Sequence, residues 1–430
     1  MNLLEKVFSL AKRRGFVYPS SEIYGGLAGF YDWGHLGNEL KFNIKQAWWR
    51  EMVLLRDDVV GLSASIIMNP KVWEASGHLS GFSDKLVECS KCRKRFKAEE
   101  LKQQKDFFVC NACGEFFKSE PRHFNLMFKT FVGATEDTAS VVYLRPETAG
   151  GIFVNFKNVL QTNRLKIPFG IAQIGKAFRN EINPRDFVFR TREFEQMELE
   201  YFVKPGTDEK YFKEWVEKRF EWYQELGLKN IRLHEQKPEE RAHYSKATID
   251  IEYKFPFGWQ EIEGIANRSD FDLKAHMKMS GKDLSYFDEE TKEQYIPYVI
   301  EPSAGVERIA LAVLCEGYCE EKERVILKIH PKLAPYKVAV FPLLANKEKL
   351  VNLARSIYSD LKTEFMTVWD DRGNIGKRYY SQDEIGTPFC ITVDFESLEN
   401  NDVTVRDRDT TKQVRVKISE LKEYFKSKLS

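Results

Sequence analysis

The stretch from Phe169 to Val203 holds the residues with the clearest chemistry. Both ends alternate with a period of two, as strands do when neighbours point to opposite faces. In the second run Met197, Leu199, Tyr201 and Val203 share one parity, an ordinary core face, while Phe194, Gln196, Glu198 and Glu200 share the other. In the first run Gln173, Arg179 and Glu181 share a parity, and the polar loop Asn183-Pro184-Arg185-Asp186, followed by Arg190 and Arg192, joins the two. If the strands pair, one sheet face gathers arginines, carboxylates and an aromatic ring. Arginine grips phosphate oxygens bidentately, and a phenylalanine ring can stack on a base, so such a face suits a nucleotide. A solvated face laced with salt bridges is the competing reading.

Cys89-x-x-Cys92 and Cys110-x-x-Cys113 form two knuckles separated by 17 residues. Four thiolates at this spacing suit tetrahedral zinc, and a metal would replace the apolar core that so short a segment lacks. A degenerate pair of knuckles that binds nothing is the alternative. Lys91, Arg93, Lys94, Arg95 and Lys97 make the segment basic, which fits phosphate contact or simply a solvated loop. Seven cysteines, four of them in tight pairs, fit a reducing compartment better than a disulfide framework, so the chain reads as cytoplasmic. Cys315 and Cys319, at i and i+4 on an apolar helix, and Cys390, in an apolar strand, read as core thiols. Of the histidines, His78 is a candidate for shaping a site; His35, His123, His234, His243, His276 and His330 receive no role.

These residues need a frame. The 430 residues allow two or three domains. With 66 basic and 65 acidic side chains, the balance announces no nucleic-acid partner, and any basic surface must be local. No run of 18 apolar residues suggests a membrane span, and the N-terminal stretch, with Glu5 and no small-residue cleavage site, reads as a short amphipathic helix rather than a signal peptide. A helix with an apolar face of Phe212, Trp215, Val216, Phe220, Tyr223 and Leu226 is ended by Gly227. Beyond Pro331–Pro335 the texture changes. Strands over 337–343, 366–369 and 389–395, with helices over 347–361 and before 389, predict a small α/β domain with a partly parallel sheet.

Several strings resemble a known family. Phe178-Arg179-Asn180-Glu181, the loop, and Arg190-Thr191-Arg192-Glu193-Phe194 resemble motif 2 of the class II aminoacyl-tRNA synthetases. Gly305-Val306-Glu307-Arg308, opening an apolar helix, looks like motif 3, and the segment 45–70, ending in a proline after a helix and strand, looks like the weaker motif 1. Strings at 73–78 (WEASGH), 145–149 (RPETA), 266–270 (ANRSD), 301–303 (EPS) and 376–380 (GKRYY) are similar to the glycyl-specific, homodimeric members. The resemblance spans nearly the whole chain.

It implies an α+β protein: a class II antiparallel-sheet catalytic domain over residues 1–330, a zinc-knuckle-like insertion over about 85–122 near the tRNA acceptor stem, and an α/β anticodon-binding domain over 331–430. It implies a homodimer with motif 1 at the interface, and ligation of glycine to tRNA-Gly through glycyl-adenylate, with ATP, Mg2+ and a structural zinc at Cys89, Cys92, Cys110 and Cys113. Arg179 would hold the α-phosphate, where charge builds in the transition state. Arg308, at a helix N-terminus that favours anions, would hold the γ-phosphate. Phe194 would stack under adenine and Glu181 would accept from its amino group. Asn180, Phe189, Arg190, Glu261, Ile262 and Gly305 complete the ATP set, with Glu261 also a candidate for magnesium. Glycine offers no side chain to grip, so its site must hold the ammonium and carboxylate and exclude anything larger. Glu147, Glu198 and Glu301, with Ser303, would take the ammonium, and Arg268 the carboxylate. One residue departs from the family: glutamine commonly follows RPETA, where this chain has Gly150. In the tail, Arg372, Lys377, Arg378 and Tyr379 suit an unstacked anticodon loop, or a solvated face. A synthetase for proline, threonine or serine, and a non-catalytic synthetase-like tRNA binder, are the other readings; both motif arginines argue against the second.

Overall fold

The alternating runs pair as their periodicity requires. In the structure, a computed structural model that describes residues 1–104, 106–242, 244–321 and 323–429, strand Phe169–Phe178 lies antiparallel to Glu193–Val203, in register from Phe169 opposite Phe202 to Phe178 opposite Glu193. His243 lies outside the described residues.

These two strands belong to a seven-stranded sheet. Its order is Ile231–Glu235, Ala247–Phe255, Gly258–Ser269, Tyr298–Gly305, Glu193–Val203, Phe169–Phe178 and Val59–Gly61. Every pairing is antiparallel except the last, where the short edge strand runs parallel to Phe169–Phe178. One sheet face is apolar. Met197, Leu199 and Tyr201 pack there with Ile251, Ile265 and Ile300, and three helices cover them. Helix Val306–Gly317 brings Ile309, Ala310, Val313 and Leu314; helix His35–Trp49 brings Leu36, Leu40, Ile44 and Trp48. Helix Asp208–Glu225 brings Phe212, Trp215, Val216 and Tyr223, as expected, and Gly227 terminates it at φ 87°. Its Arg219 is buried as well, gripping Glu263 through Nε at 2.7 Å and Nη2 at 2.9 Å, while the Tyr223 hydroxyl donates to the same carboxylate at 2.6 Å.

Residues 83–125 form two small three-stranded sheets around Val87, Leu101, Phe108 and Phe117, so this segment has a small apolar cluster of its own. Beyond residue 337, five strands run in the order Thr367–Trp369, Val338–Pro342, Phe389–Val393, Asp402–Asp407, Gln413–Lys417. The first two pairings are parallel and the last two antiparallel, which is the partly parallel sheet the pattern suggested. Helix Glu348–Leu361 buries Leu350, Ala354, Ile357 and Leu361 against it. Helix Leu3–Arg14, opened by an Asn2–Glu5 capping box, reaches across to helix Ile375–Ile385, where Arg13 and Arg14 pair with Glu384. Among the described residues no helix is long and apolar enough to cross a membrane.

Two expectations change. Cys315 and Cys319 do not share a helix, because it ends at Gly317 and Cys319 lies in strand Tyr318–Glu320. Arg378 does not face solvent: it is buried and donates to the carbonyls of Pro342, Asp371, Arg372 and Gly373, bracing the turn before its own helix.

Candidate active site

The face opposite the helices floors a cavity of about 300 Å³. Period-two alternation puts Phe194, Gln196 and Glu198 there from one strand, and Glu301, Ser303 and Gly305 from its neighbour, where Ser303 sits directly opposite Glu198. Strand Gly258–Ser269 carries a β-bulge. Glu263 opposes Ile251 and Glu261 opposes Glu252, so Ile262 is the extra residue. The bulge lets Ile262 and Glu263 both turn into the core and returns Glu261 to the cavity face beside Gly264.

The closed end is acidic. The Glu198 carboxylate accepts from the Ser303 hydroxyl at 2.7 Å and from the Thr148 hydroxyl. Burial raises Glu301, Arg268 draws it back, and Glu198 and Glu147 push it up again, leaving it at about 8. Glu147 goes the other way. Burial penalises its charge, but His78, whose Nε2 lies 3.3 Å away, together with Arg268 and Arg179, overrides that and brings it to about 2. His78 is itself held by Ser76, Oγ to Nδ1 at 2.8 Å. Behind Glu198 and Glu301 lies Glu200, fully buried, neither oxygen hydrogen-bonded, its carboxyl raised well above the ordinary value by burial and then by Glu301.

The open end carries the arginines. Arg179 donates from Nε to the Pro146 carbonyl at 3.0 Å, and its guanidinium stacks between Phe194 and Phe82, 5.3 and 5.4 Å from the ring centroids. Arg308 leaves the first turn of its helix, lies over the Phe189 ring at 4.5 Å and pairs with Glu261 at 3.2 Å. Glu181 is 3.5 Å from Arg190, yet its buried Oε2 and the Arg190 Nε make no hydrogen bond. Two orphaned polar atoms in one wall suit a ligand that offers both a donor and an acceptor.

Glu147, Arg179, Glu181, Phe189, Arg190, Phe194, Glu198, Glu261, Glu301, Ser303, Gly305 and Arg308 therefore line one cavity. Asn180, Ile262 and Arg268 do not. Asn180 is tied through its backbone N–H to the Leu126 carbonyl, and Ile262 is in the core. Arg268 is buried and bidentate on Asp272, at 2.7 and 2.8 Å; it also bonds Glu301 and lies 3.7 Å from the Tyr244 ring. Sequence reasoning missed Tyr244, Gln236 and Asp250 on the far wall. Asp250 accepts from Gln236 at 2.8 Å, and burial with Glu261 nearby lifts it to about 7. It also missed Arg145, which donates to the carbonyls of Ala64 and Lys176 and crosses Gly175 so closely that a Cβ there would lie 2.1 Å from its guanidinium. Gly150 faces Trp73: a Cβ would meet the indole at 3.1 Å, so glycine makes room for that ring.

Away from this cavity the four knuckle cysteines converge. Cys89 and Cys113 have Sγ atoms 3.7 Å apart, and Cys92 and Cys110 3.6 Å. A tetrahedron with metal–sulfur bonds of about 2.3 Å has edges of about 3.8 Å, so the donor set fits. Each knuckle closes with an N–H four residues on, Arg93 to Cys89 and Gly114 to Cys110, both donors at positive φ.

The model of the tRNA synthetase class II core domain (G, H, P, S and T) matches residues 131–318, and that of an anticodon binding domain matches 337–428. A protein named glycine–tRNA ligase from Lachnospira eligens is 53% identical over 458 residues, covering 99% of this chain and 98% of its own length. Those of Alkaliphilus oremlandii and Caldanaerobacter subterraneus are each 52% identical with the same coverage. The chain belongs to the glycine–tRNA ligase family. Its seven-stranded sheet is thus the class II synthetase core, and the acid-lined, arginine-mouthed cavity lies where the motif 2 and motif 3 strings meet in that core.

Proposed function

We propose that this chain activates glycine with ATP and ligates it to tRNA-Gly. The observation that carries the reading is the polarity of one cavity. Its closed end offers Glu147, Glu198, Glu301 and Ser303 to a small ammonium, and its mouth offers Arg179, Arg190 and Arg308 to phosphates.

Glycine sits with its ammonium among the acids and its carboxylate toward Arg179. With Arg268 engaged by Asp272 and Glu301, its part is to orient Glu301 rather than to touch substrate. Phe194 supports adenine, and Glu181 and Arg190 supply its in-plane partners. A glycine carboxylate oxygen attacks the α-phosphorus and the bond to pyrophosphate breaks; Arg179 stabilises the charge that builds there and Arg308 holds the outer phosphates. Glu261 would hold magnesium, which would supply charge neutralisation on ATP. A terminal tRNA hydroxyl then takes the glycyl group and AMP leaves. No histidine base is required, since the carboxylate is already a nucleophile.

The domain reading is a catalytic part over residues 1–330 and an anticodon-reading part over 331–430. Cys89, Cys92, Cys110 and Cys113 hold zinc in an insertion near the acceptor stem, where Lys91, Arg93 and Lys94 are exposed. The homodimer reading is supported by exposed Leu54 and Leu55 on the motif 1 segment and exposed Phe42 just before it, and the cytoplasmic reading by seven free cysteines.

The test is ATP–pyrophosphate exchange scanned over the twenty amino acids. Glycine alone supports exchange, and Arg179→Ala lowers it by about 10²–10³-fold. Exchange with a different amino acid would overturn the glycine pocket, and none at all, from folded protein, would favour a tRNA-binding role.

A further inference from the structure

Lys41, on helix His35–Trp49, is buried, with its ammonium 4.8 Å from the Trp33 ring centroid. It pairs with two carboxylates from different elements: Glu195, 2.7 Å away on strand Glu193–Val203, and Glu307, in the first turn of helix Val306–Gly317. The second Glu307 oxygen accepts from the Glu195 backbone N–H at 2.9 Å, and Lys45 reaches Glu195 at 2.9 Å from a more exposed position. The sequence neighbours give this network its meaning. Glu195 follows Phe194, and Glu307 precedes Arg308. Successive strand residues point to opposite faces, so at Glu195 the ammonium grips from behind the strand step that carries Phe194 into the cavity, and at Glu307 it holds the first helical turn from which Arg308 leaves. Without it buried Glu307 loses its cation and faces a Glu195 that keeps Lys45 alone, and the Glu307 bond that ties helix to strand works against their repulsion.

We propose that Lys41 is a positioning residue for ATP, clamping the strand that carries Phe194 to the helix that carries Arg308 so that base and outer phosphates are held at one fixed separation. This rests on the nucleotide site proposed above. The glycine end of the cavity is built from Glu147, Glu198 and Glu301, none of which touches Lys41, so the effect falls on ATP.

The experiment measures pyrophosphate exchange by full-length wild type, Lys41→Met, Lys41→Arg and Glu195→Gln, varying ATP and glycine separately. Lys41→Met is expected to raise the ATP KM about tenfold and leave the glycine KM within about twofold, while Lys41→Arg recovers most of the difference. An unchanged ATP KM in Lys41→Met with a lowered melting temperature, or an equal rise in both KM values, overturns the proposal in favour of a purely structural ion pair. Should Lys41→Met not fold, Glu195→Gln decides: a rise in ATP KM of about threefold supports the clamp and no change overturns it. If the wild type shows no exchange with glycine, the functional reading fails by itself. The clamp is then read from calorimetric binding of a non-hydrolysable ATP analogue to wild type and Lys41→Met, where equal affinity overturns it.

Discussion

Lys97 Nζ, on the cysteine-bearing segment, lies 3.5 Å from the Glu181 carboxylate in the cavity wall. It is held there by Asp84 at 2.5 Å, and the adjoining Glu100 pairs with Arg185 at 3.0 Å and accepts from Asn183 at 3.2 Å. The knuckles and the motif 2 loop are therefore one connected structure. If the knuckles hold the proposed zinc, stripping it with a chelator is expected to raise the ATP KM severalfold, by about 3–10-fold, and zinc should restore it. An ATP KM indifferent to chelation, in protein shown by elemental analysis to have lost its metal, would sever that connection.

Glycine binding should depend on pH through Glu301. Its carboxyl sits at about 8 because burial and the acids Glu198 and Glu147 outweigh Arg268, and Glu200 lies beside it. An ammonium needs the ionised form. Below that value a proton must leave before glycine enters, so the glycine KM should fall as pH rises from 6.5 to 8, by a factor approaching about tenfold per unit. Glu301→Gln should bind glycine poorly at every pH. A flat wild-type profile would rule the linkage out.

Glu200 makes an opposite prediction for stability. Its carboxyl is raised by burial and by Glu301, so it stays protonated in the folded chain while the unfolded chain ionises above the ordinary value of 4.5. Below that value the side chain costs nothing; above it, folding must take up a proton and stability is lost as pH rises. Glu200→Gln has no such proton. It should match wild type near pH 4 and exceed it by about 1 kcal/mol near pH 8 in thermal unfolding. Equal melting temperatures at both ends would contradict the buried neutral acid.

The buried Arg219–Glu263 pair should show the usual asymmetry of such pairs. Arg219→Met leaves Glu263 charged in the core with only Tyr223 to bond it, and should cost about 3–5 kcal/mol in urea unfolding. Adding Glu263→Gln removes the stranded charge and should recover a sizeable part. Additive losses in the double variant would mean the two residues act independently.

Much of this site was legible in alternation. Phe194, Gln196 and Glu198 share a parity in the chain and a cavity face in the fold, because a paired strand has no choice about where successive side chains go. The Val306–Gly317 helix and its N-terminal Arg308 were equally plain, since ten of its twelve residues are buried. Periodicity could not see register faults or occupied partners. Nothing local marks Ile262 as an extra residue. Arg268 reads as a free cation until Asp272, in the first turn of the helix that follows its strand, is brought against it. Gly150 stood out only as a departure, and the reason for it, the Trp73 ring, lies 77 residues earlier in the chain.

The bulge at Ile262 acts as a phase shifter in an otherwise two-state pattern. Upstream of it the strand is read on one beat and downstream on the other, so an acid toward the cavity and Arg308 at Glu261 and an acid toward Arg219 at Glu263 are supplied by residues only two apart that face opposite ways. Removing Ile262 itself would leave Glu261 and Glu263 adjacent and still on opposite faces of a regular ladder, whereas losing a flanking residue and drawing Ile262 into the ladder would put the two acids on the same side. Single-residue deletions flanking the bulge should therefore be less tolerated than loss of Ile262 itself, which removes a core side chain but keeps both acids on their faces.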